Sequence, residues 1–157
     1  MKELKIYSDI KCCQVEELSS QDKILVEKAK EATSNSYSPY SHFRVGAAIR
    51  LSDGMIIKGA NQENAAFSVT ICAERSAIFA AQANYPELPV VSIAIAARND
   101  NGYTCKPVSP CGSCRQAMVE IEQKYSQPIH IILYGKEEVY VMDSVRNLMP
   151  LSFVEMK

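Results

Sequence analysis

Apolar positions recur along this chain with two periods, and their alternation predicts the elements. Ser19, with Asp22 three residues on, resembles a helix-capping pair. The helix that follows should run to about residue 34 and bury Ile24, Leu25, Ala29 and Ala32. Residues 43–51 and 55–60 read as strands. Ser52-Asp53-Gly54 joins them, and Asp-Gly between apolar runs marks a hairpin. Gly46, inside the first of these strands, suggests close approach of another backbone or of a ligand. An Ala-rich helix is expected over about 71–82, then a strand over 90–97 whose nearly unbroken apolar run fits burial on both faces. A polar loop, 98–109, leads to a helix running from Cys111 to about residue 124. Strands at 129–134 and 139–142 and a short helix at 144–148 finish the pattern. Weak alternation over 3–7 suggests an extra strand or an ordered arm. A hairpin followed by alternating helices and strands predicts an α/β fold, with a mixed sheet covered on both faces.

Two of the predicted helix starts carry the candidate chemistry: Cys72-Ala-Glu-Arg75 and Pro110-Cys-Gly-Ser-Cys-Arg115. Cys111 and Cys114 are three apart and share a helical face that continues through Met118, Ile121 and Tyr125. Free N–H groups and the helix dipole at such a start stabilise thiolates. Cys72 and Glu74 are two apart and point away from each other in a regular helix. Both reach one centre only if Cys72 stands at the very start, with Glu74 reaching back. Three thiolates from Cys72, Cys111 and Cys114 leave one position of a tetrahedral zinc ion open, as catalytic zinc requires and structural zinc does not. Arg75, three residues after Cys72, could donate to a thiolate and offset surplus negative charge. Taken singly, these residues have plainer readings. A lone cysteine is more often a small buried hydrophobe, and a lone Cys-x-x-Cys is a redox pair or half of a structural zinc site. The combination, with a carboxylate on a buried stripe, favours catalytic zinc.

Length and composition narrow the class. The 157 residues suit one domain, and 47% hydrophobic with 22% charged residues is ordinary for a globular protein. A net charge of −1 gives no basic excess for a nucleic-acid surface. Residues 1–11 hold no apolar signal core, and no run approaches a membrane span, so neither export nor a membrane is expected. Six cysteines less three ligands leave Cys12, Cys13 and Cys105. That odd remainder argues for a reducing, cytoplasmic setting rather than a disulfide framework.

A ligand two residues before a Glu, with a later Pro-Cys-x-x-Cys, is the zinc-deaminase spacing, here with Cys in the first position. Further pieces are Tyr40-Ser-His-Phe-Arg-Val-Gly-Ala-Ala48, Gly59-Ala-Asn-Gln-Glu-Asn-Ala65 and Leu148-Met-Pro-Leu-Ser-Phe153. Together the chain resembles the cytidine deaminases, in particular the small homotetrameric type, from about Ser19 to Phe153. The resemblance implies a three-layer α/β/α sandwich with a five-stranded sheet. It implies one catalytic unit over 19–157, preceded by an extension, 1–18, longer than a minimal member needs. It implies zinc-dependent hydrolysis of cytidine and deoxycytidine to the uridines plus ammonia, in pyrimidine salvage.

By the same resemblance Cys72, Cys111 and Cys114 bind zinc, and Glu74 shuttles the proton. Asn61 and Glu63 contact a ribose hydroxyl, and Phe43 lies beside the nucleoside. The Ala73 backbone faces the pyrimidine oxygen, and the Ser109 carbonyl faces the leaving amine. Phe153 reaches a neighbouring subunit's site, so active sites would be shared across a homotetramer. Without the resemblance, Phe43 reads as a strand residue, Asn61 and Glu63 as turn and surface residues, and Phe153 as tail packing. His42 and His130 read as surface or sheet residues, and Tyr40 as loop packing. Phe67 stands where many relatives have Tyr, and Gln62 where an aliphatic residue is usual. Rival readings are a deaminase of a base in RNA or DNA, which the charge balance disfavours, and a deaminase of a modified cytosine nucleoside such as an antibiotic. A zinc-stabilised interaction module is the third, although a closed structural site has no use for Glu74.

Overall fold

The computed structural model of the chain describes residues 1–154. The final three residues of the unit expected over 19–157 lie outside them. The elements in order are β1 (Lys11–Cys13), α1 (Ser20–Ala32), β2 (Arg44–Leu51), β3 (Ile56–Ala60) and α2 (Ala73–Asn84). They continue with β4 (Val90–Asn99), β5 (Gly102–Tyr103), α3 (Gly112–Tyr125), β6 (His130–Tyr134) and β7 (Val139–Met142). One mixed sheet runs β1-β7-β6-β4-β2-β3, with β5 paired to β4. The pairs are antiparallel except β4 with β6.

The alternation of β4 sorts the core into two layers. Ile93 and Ile95 face α2 and α3 together with Ala47, Ile49, Ile131 and Leu133. Ala94 and Ala96 face α1 together with Ala48 and Ile132. Both faces of β4 are therefore buried, as its apolar run predicts. The α1 face uses small residues because that helix lies close to the strands. A Cβ on Gly46 would overlap the backbone of Ala29 and Thr33, which is the close approach the sequence suggested. Gly59 does the same on the opposite face, where a Cβ would overlap the backbone of Ala73 and Ala77. That contact seats the start of α2 against β3.

Four expectations need correction. The sheet has seven strands, not five. The five predicted strands are present, and β1 and β5 add ladders of three and two residues, too short to show a period. The arm strand is Lys11–Cys13 rather than 3–7, and it pairs with the outer edge of β7. Ile24 is 53% exposed. The buried stripe of α1 is Leu25, Val26, Ala29 and Ala32, and Ile24 stands about 100° away from Leu25 around the helix. The short helix expected at 144–148 is a single 3-10 turn, Val145–Asn147. Ser19 caps α1 as expected, its hydroxyl accepting from the Asp22 N–H at 3.1 Å.

Candidate active site

Two helices present their first residues to one point. Cys72 is the N-cap of α2 and Cys111 the N-cap of α3, both with extended backbone. Neither thiol caps its own helix. Cys72 therefore stands at the position that lets it share a centre with Glu74. Cys72 Sγ lies 3.7 Å from Cys111 Sγ, and Cys111 Sγ lies 3.5 Å from Cys114 Sγ. All three sulfurs fall within 4.8 Å of one another. Thiolates ~2.3 Å from a tetrahedral ion stand roughly 3.8 Å apart, so the spacing fits zinc. Among the described residues no fourth His, Cys, Asp or Glu joins this group.

The charges reinforce the fit. The Cys114 thiol donates to Cys72, and Arg75 and Cys111 add to that, holding the Cys72 thiol down at about 5. The same bond, burial and the nearby Glu74 push Cys114 well above the ordinary thiol range. The Cys72 thiolate forms readily and the Cys114 thiol beside it needs a cation, because a second negative charge beside the first is unfavourable. Arg75 Nη2 points at Cys72 Sγ from 3.9 Å, while its buried Nε has no partner among the described residues.

Glu74 lies beside the thiols and is 4% exposed. Burial raises its carboxyl above the usual range, and the Cys72 charge adds to this. A carboxyl raised in this way is suited to take up a proton and pass it on. It lines a cleft of about 210 Å³ that also brings together Asn61, Glu63, Cys72, Ser109 and Cys111.

The far end of the cleft is made from loops. Ile71 and Gln62 exchange both backbone hydrogen bonds, at 2.9 and 3.0 Å, which ties the strand leaving β3 to the entry of α2. The Asn61 carboxamide is almost fully engaged. Its Oδ1 accepts from Ser36 Oγ at 2.6 Å and from the Val45 N–H at 2.8 Å, and its Nδ2 donates to the Phe43 carbonyl at 2.9 Å. Its other N–H has no partner among the described residues. The Glu63 carboxylate takes the Tyr40 N–H at 2.9 Å, the Ser41 N–H at 3.3 Å and the Ser41 hydroxyl. The Ser41 hydroxyl above all keeps Glu63 below the usual carboxylate range.

Phe43, Ala73 and Phe153 are not among the residues that line this cleft. Phe43 is half-buried just before β2 and is joined to Asn61 through its carbonyl. Ala73 is the buried first residue of α2. Phe153 is 84% exposed, and Gln116 Nε2 donates to its carbonyl at 2.8 Å. His42 is exposed, and His130 lies on β6 between Asp22 and Asp143. Sequence reasoning missed Ser36, Ser41 and Arg115. Arg115 Nε donates to the Pro110 carbonyl at 2.8 Å and its Nη1 to the Leu148 carbonyl at 2.7 Å, so it ties the second cysteine turn to the C-terminal segment. Ser41 and Arg115 sat inside the quoted motifs, but nothing in their spacing signalled these partners.

Comparison with known proteins agrees with this geometry. A family model, the cytidine and deoxycytidylate deaminase zinc-binding region, matches residues 19–127. A cytidine deaminase of Halalkalibacterium halodurans is 46% identical over 99 residues, covering 63% of this chain and 70% of that one. A blasticidin-S deaminase of Bacillus cereus is 33% identical over 138 residues, covering 87% and 94%. The crystal structure of a cytidine deaminase from Burkholderia pseudomallei superposes with a TM-score of 0.72 at 36% identity, covering 83% of this chain and 98% of that one. With its paired cysteine turns inside the matched region, the chain belongs to the cytidine and deoxycytidylate deaminase family.

Proposed function

We propose that this chain hydrolyses the C4 amino group of cytidine and deoxycytidine, giving uridine or deoxyuridine and ammonia, with zinc held by Cys72, Cys111 and Cys114. The observation that carries the reading is a buried carboxyl, Glu74, beside three thiols at the base of one cleft. Zinc held by these residues would supply a Lewis acid and lower the pKa of a bound water toward ~7. Glu74 takes a proton from the attacking water and delivers it to the ring nitrogen. It then takes the remaining proton from the new C4 hydroxyl and moves it to the amine, and the C4–N bond breaks to release ammonia. The Ala73 N–H faces the pyrimidine oxygen, and the Ser109 carbonyl accepts from the departing amine. Asn61 offers its remaining N–H to a ribose hydroxyl, and Glu63 accepts from that hydroxyl. Phe43 packs beside the nucleoside, and Arg75 offsets thiolate charge.

The catalytic unit begins at residue 19, and the extension before it covers the β7 edge. Phe153, exposed on its own subunit, enters a neighbour's site in a homotetramer. Exposed Phe67 and Val69 on the turn before α2 support such an assembly. Six free cysteines suit a reducing cytoplasm, where the reaction serves pyrimidine salvage. No helix among the described residues is long and apolar enough to cross a membrane.

The test is to incubate purified protein with cytidine, assay uridine and ammonia, and measure zinc and solution size on the same sample. A zinc-loaded protein that leaves cytidine untouched sinks the reading. The match to the blasticidin-S deaminase spans more of this chain than the match to the Halalkalibacterium enzyme, and this favours a second reading as a deaminase of that antibiotic. Blasticidin S in the parallel assay decides between them by the ratio of kcat/KM values.

A further inference from the structure

We propose that Ser41 is a positioning residue for Glu63 that sets how tightly the cleft holds a ribose hydroxyl. The inference rests on the nucleoside reading above. Ser41 Oγ has two partners, and each can act in only one direction. The Phe43 backbone N–H, at 3.0 Å, can only donate, and the ionised Glu63 can only accept. The hydroxyl proton is therefore aimed at Glu63 Oε1. The Tyr40 and Ser41 N–H groups both go to Oε2. The carboxylate is thus held at both oxygens, with an acceptor site left on Oε1.

The loop that supplies these donors is tightly wound. His42, between Ser41 and Phe43, has φ of 56°, a left-handed conformation uncommon outside glycine. The Ser41-to-Phe43 bond spans it, and the His42 N–H donates to the Ser38 carbonyl at 3.1 Å. Such a conformation persists where surrounding bonds over-determine it. Removing the Ser41 hydroxyl leaves Glu63 held at one oxygen only, and the terminal torsion of a Glu is soft. The carboxylate then turns away from the geometry a ribose hydroxyl needs. That hydroxyl is remote from C4, so the loss falls on ground state and transition state alike, raising KM and sparing kcat.

The experiment compares zinc-loaded wild type, Ser41→Ala and Ser41→Thr. It uses cytidine as substrate and, as the competing ligand, 2′,3′-dideoxycytidine, which lacks the 2′- and 3′-hydroxyls and keeps the 5′. Ser41→Ala should raise KM for cytidine about tenfold, the loss of one charge-assisted hydrogen bond, with kcat within about twofold. Its inhibition constant for the dideoxynucleoside should stay within about twofold, and Ser41→Thr should restore the cytidine KM. An equal loss against both ligands would mean that the loop and Phe43 had shifted, and it would overturn the proposal. An unchanged cytidine KM in Ser41→Ala would also overturn it. Wild type that is inert toward cytidine is a different failure, that of the nucleoside reading, and it takes the proposal down with it.

Discussion

The two ends of the cleft are built on opposite principles. At one end, three thiols and a buried carboxyl crowd together, and the pKa values of Cys72 and Cys114 are driven apart by their shared bond. That end is electrostatically unfinished without a cation. At the other end, Asn61 and Glu63 are met by hydrogen bonds from their own loops. That end is all but complete before any ligand arrives, with one Asn61 N–H and one acceptor site on Glu63 Oε1 left open. The unfinished end stands on helix starts seated by the rigid core, where the sheet and Gly59 absorb its cost. The nearly complete end stands on loops, which need their internal bonds simply to keep their shape. Chemistry is assigned to the first end and orientation to the second, and variants at the two ends should behave differently.

The largest effect is expected from Cys114→Ala. Its sulfur is buried and completes the trio. The zinc-to-protein ratio should fall toward zero and activity with it, because two thiolates make an incomplete site. Stoichiometric zinc in this variant would break the comparison at its root. Next comes Glu74→Gln, which should retain zinc and lose at least ~10²–10⁴-fold in kcat. In the zinc-free protein the same change should raise Tm, since a neutral amide avoids the burial cost that now raises the Glu74 pKa. A rise of roughly 2–4 °C corresponds to ~1 kcal/mol in a chain of this size. A catalytic group whose removal stabilises the fold marks an end built for chemistry.

Asn61→Ala should do the reverse. Three internal bonds disappear, leaving the Val45 N–H and the Phe43 carbonyl short of partners. A cost of about 1–3 kcal/mol in unfolding free energy is expected, together with a higher KM. Denaturant melts and steady-state kinetics on one preparation check both. Unaltered stability would mean that this end is not holding itself together as described.

What could be read beforehand tracks the range of the interactions. Cys72, Glu74, Cys111 and Cys114 were legible because their relation depends on offsets of two and three residues at helix starts. Gly46 was legible because a glycine inside an apolar strand has few other uses. Ile24 was misread because a run of three apolar residues, Ile24-Leu25-Val26, fits more than one stripe. The ladder from Lys11 to Cys13 was invisible because its partners lie about 130 residues away in β7, and three residues carry no period. The roles of Ser36 and Ser41 depend on contacts 25 and 22 residues distant, which no local pattern encodes. The residues brought together at the thiol end could be named from the chain alone. Those that hold the far end in shape needed the tertiary structure.

The smallest effect is expected at Gln62, which stands between Asn61 and Glu63. Its side chain donates to the Asn35 carbonyl at 3.0 Å on an exposed loop. Its backbone meanwhile pairs with Ile71 in both directions and bridges to Tyr37. If the backbone does the holding, Gln62→Leu should leave kcat and KM within about twofold. It should change stability by no more than ~1 kcal/mol, the net worth of one neutral hydrogen bond. The exposed carbonyl of Asn35 can bind water instead, so no buried group is orphaned. A tenfold rise in KM would show instead that the amide steers Asn61 and Glu63 from between them. The boundary between the two ends would then run through a side chain rather than along the Gln62–Ile71 backbone pair.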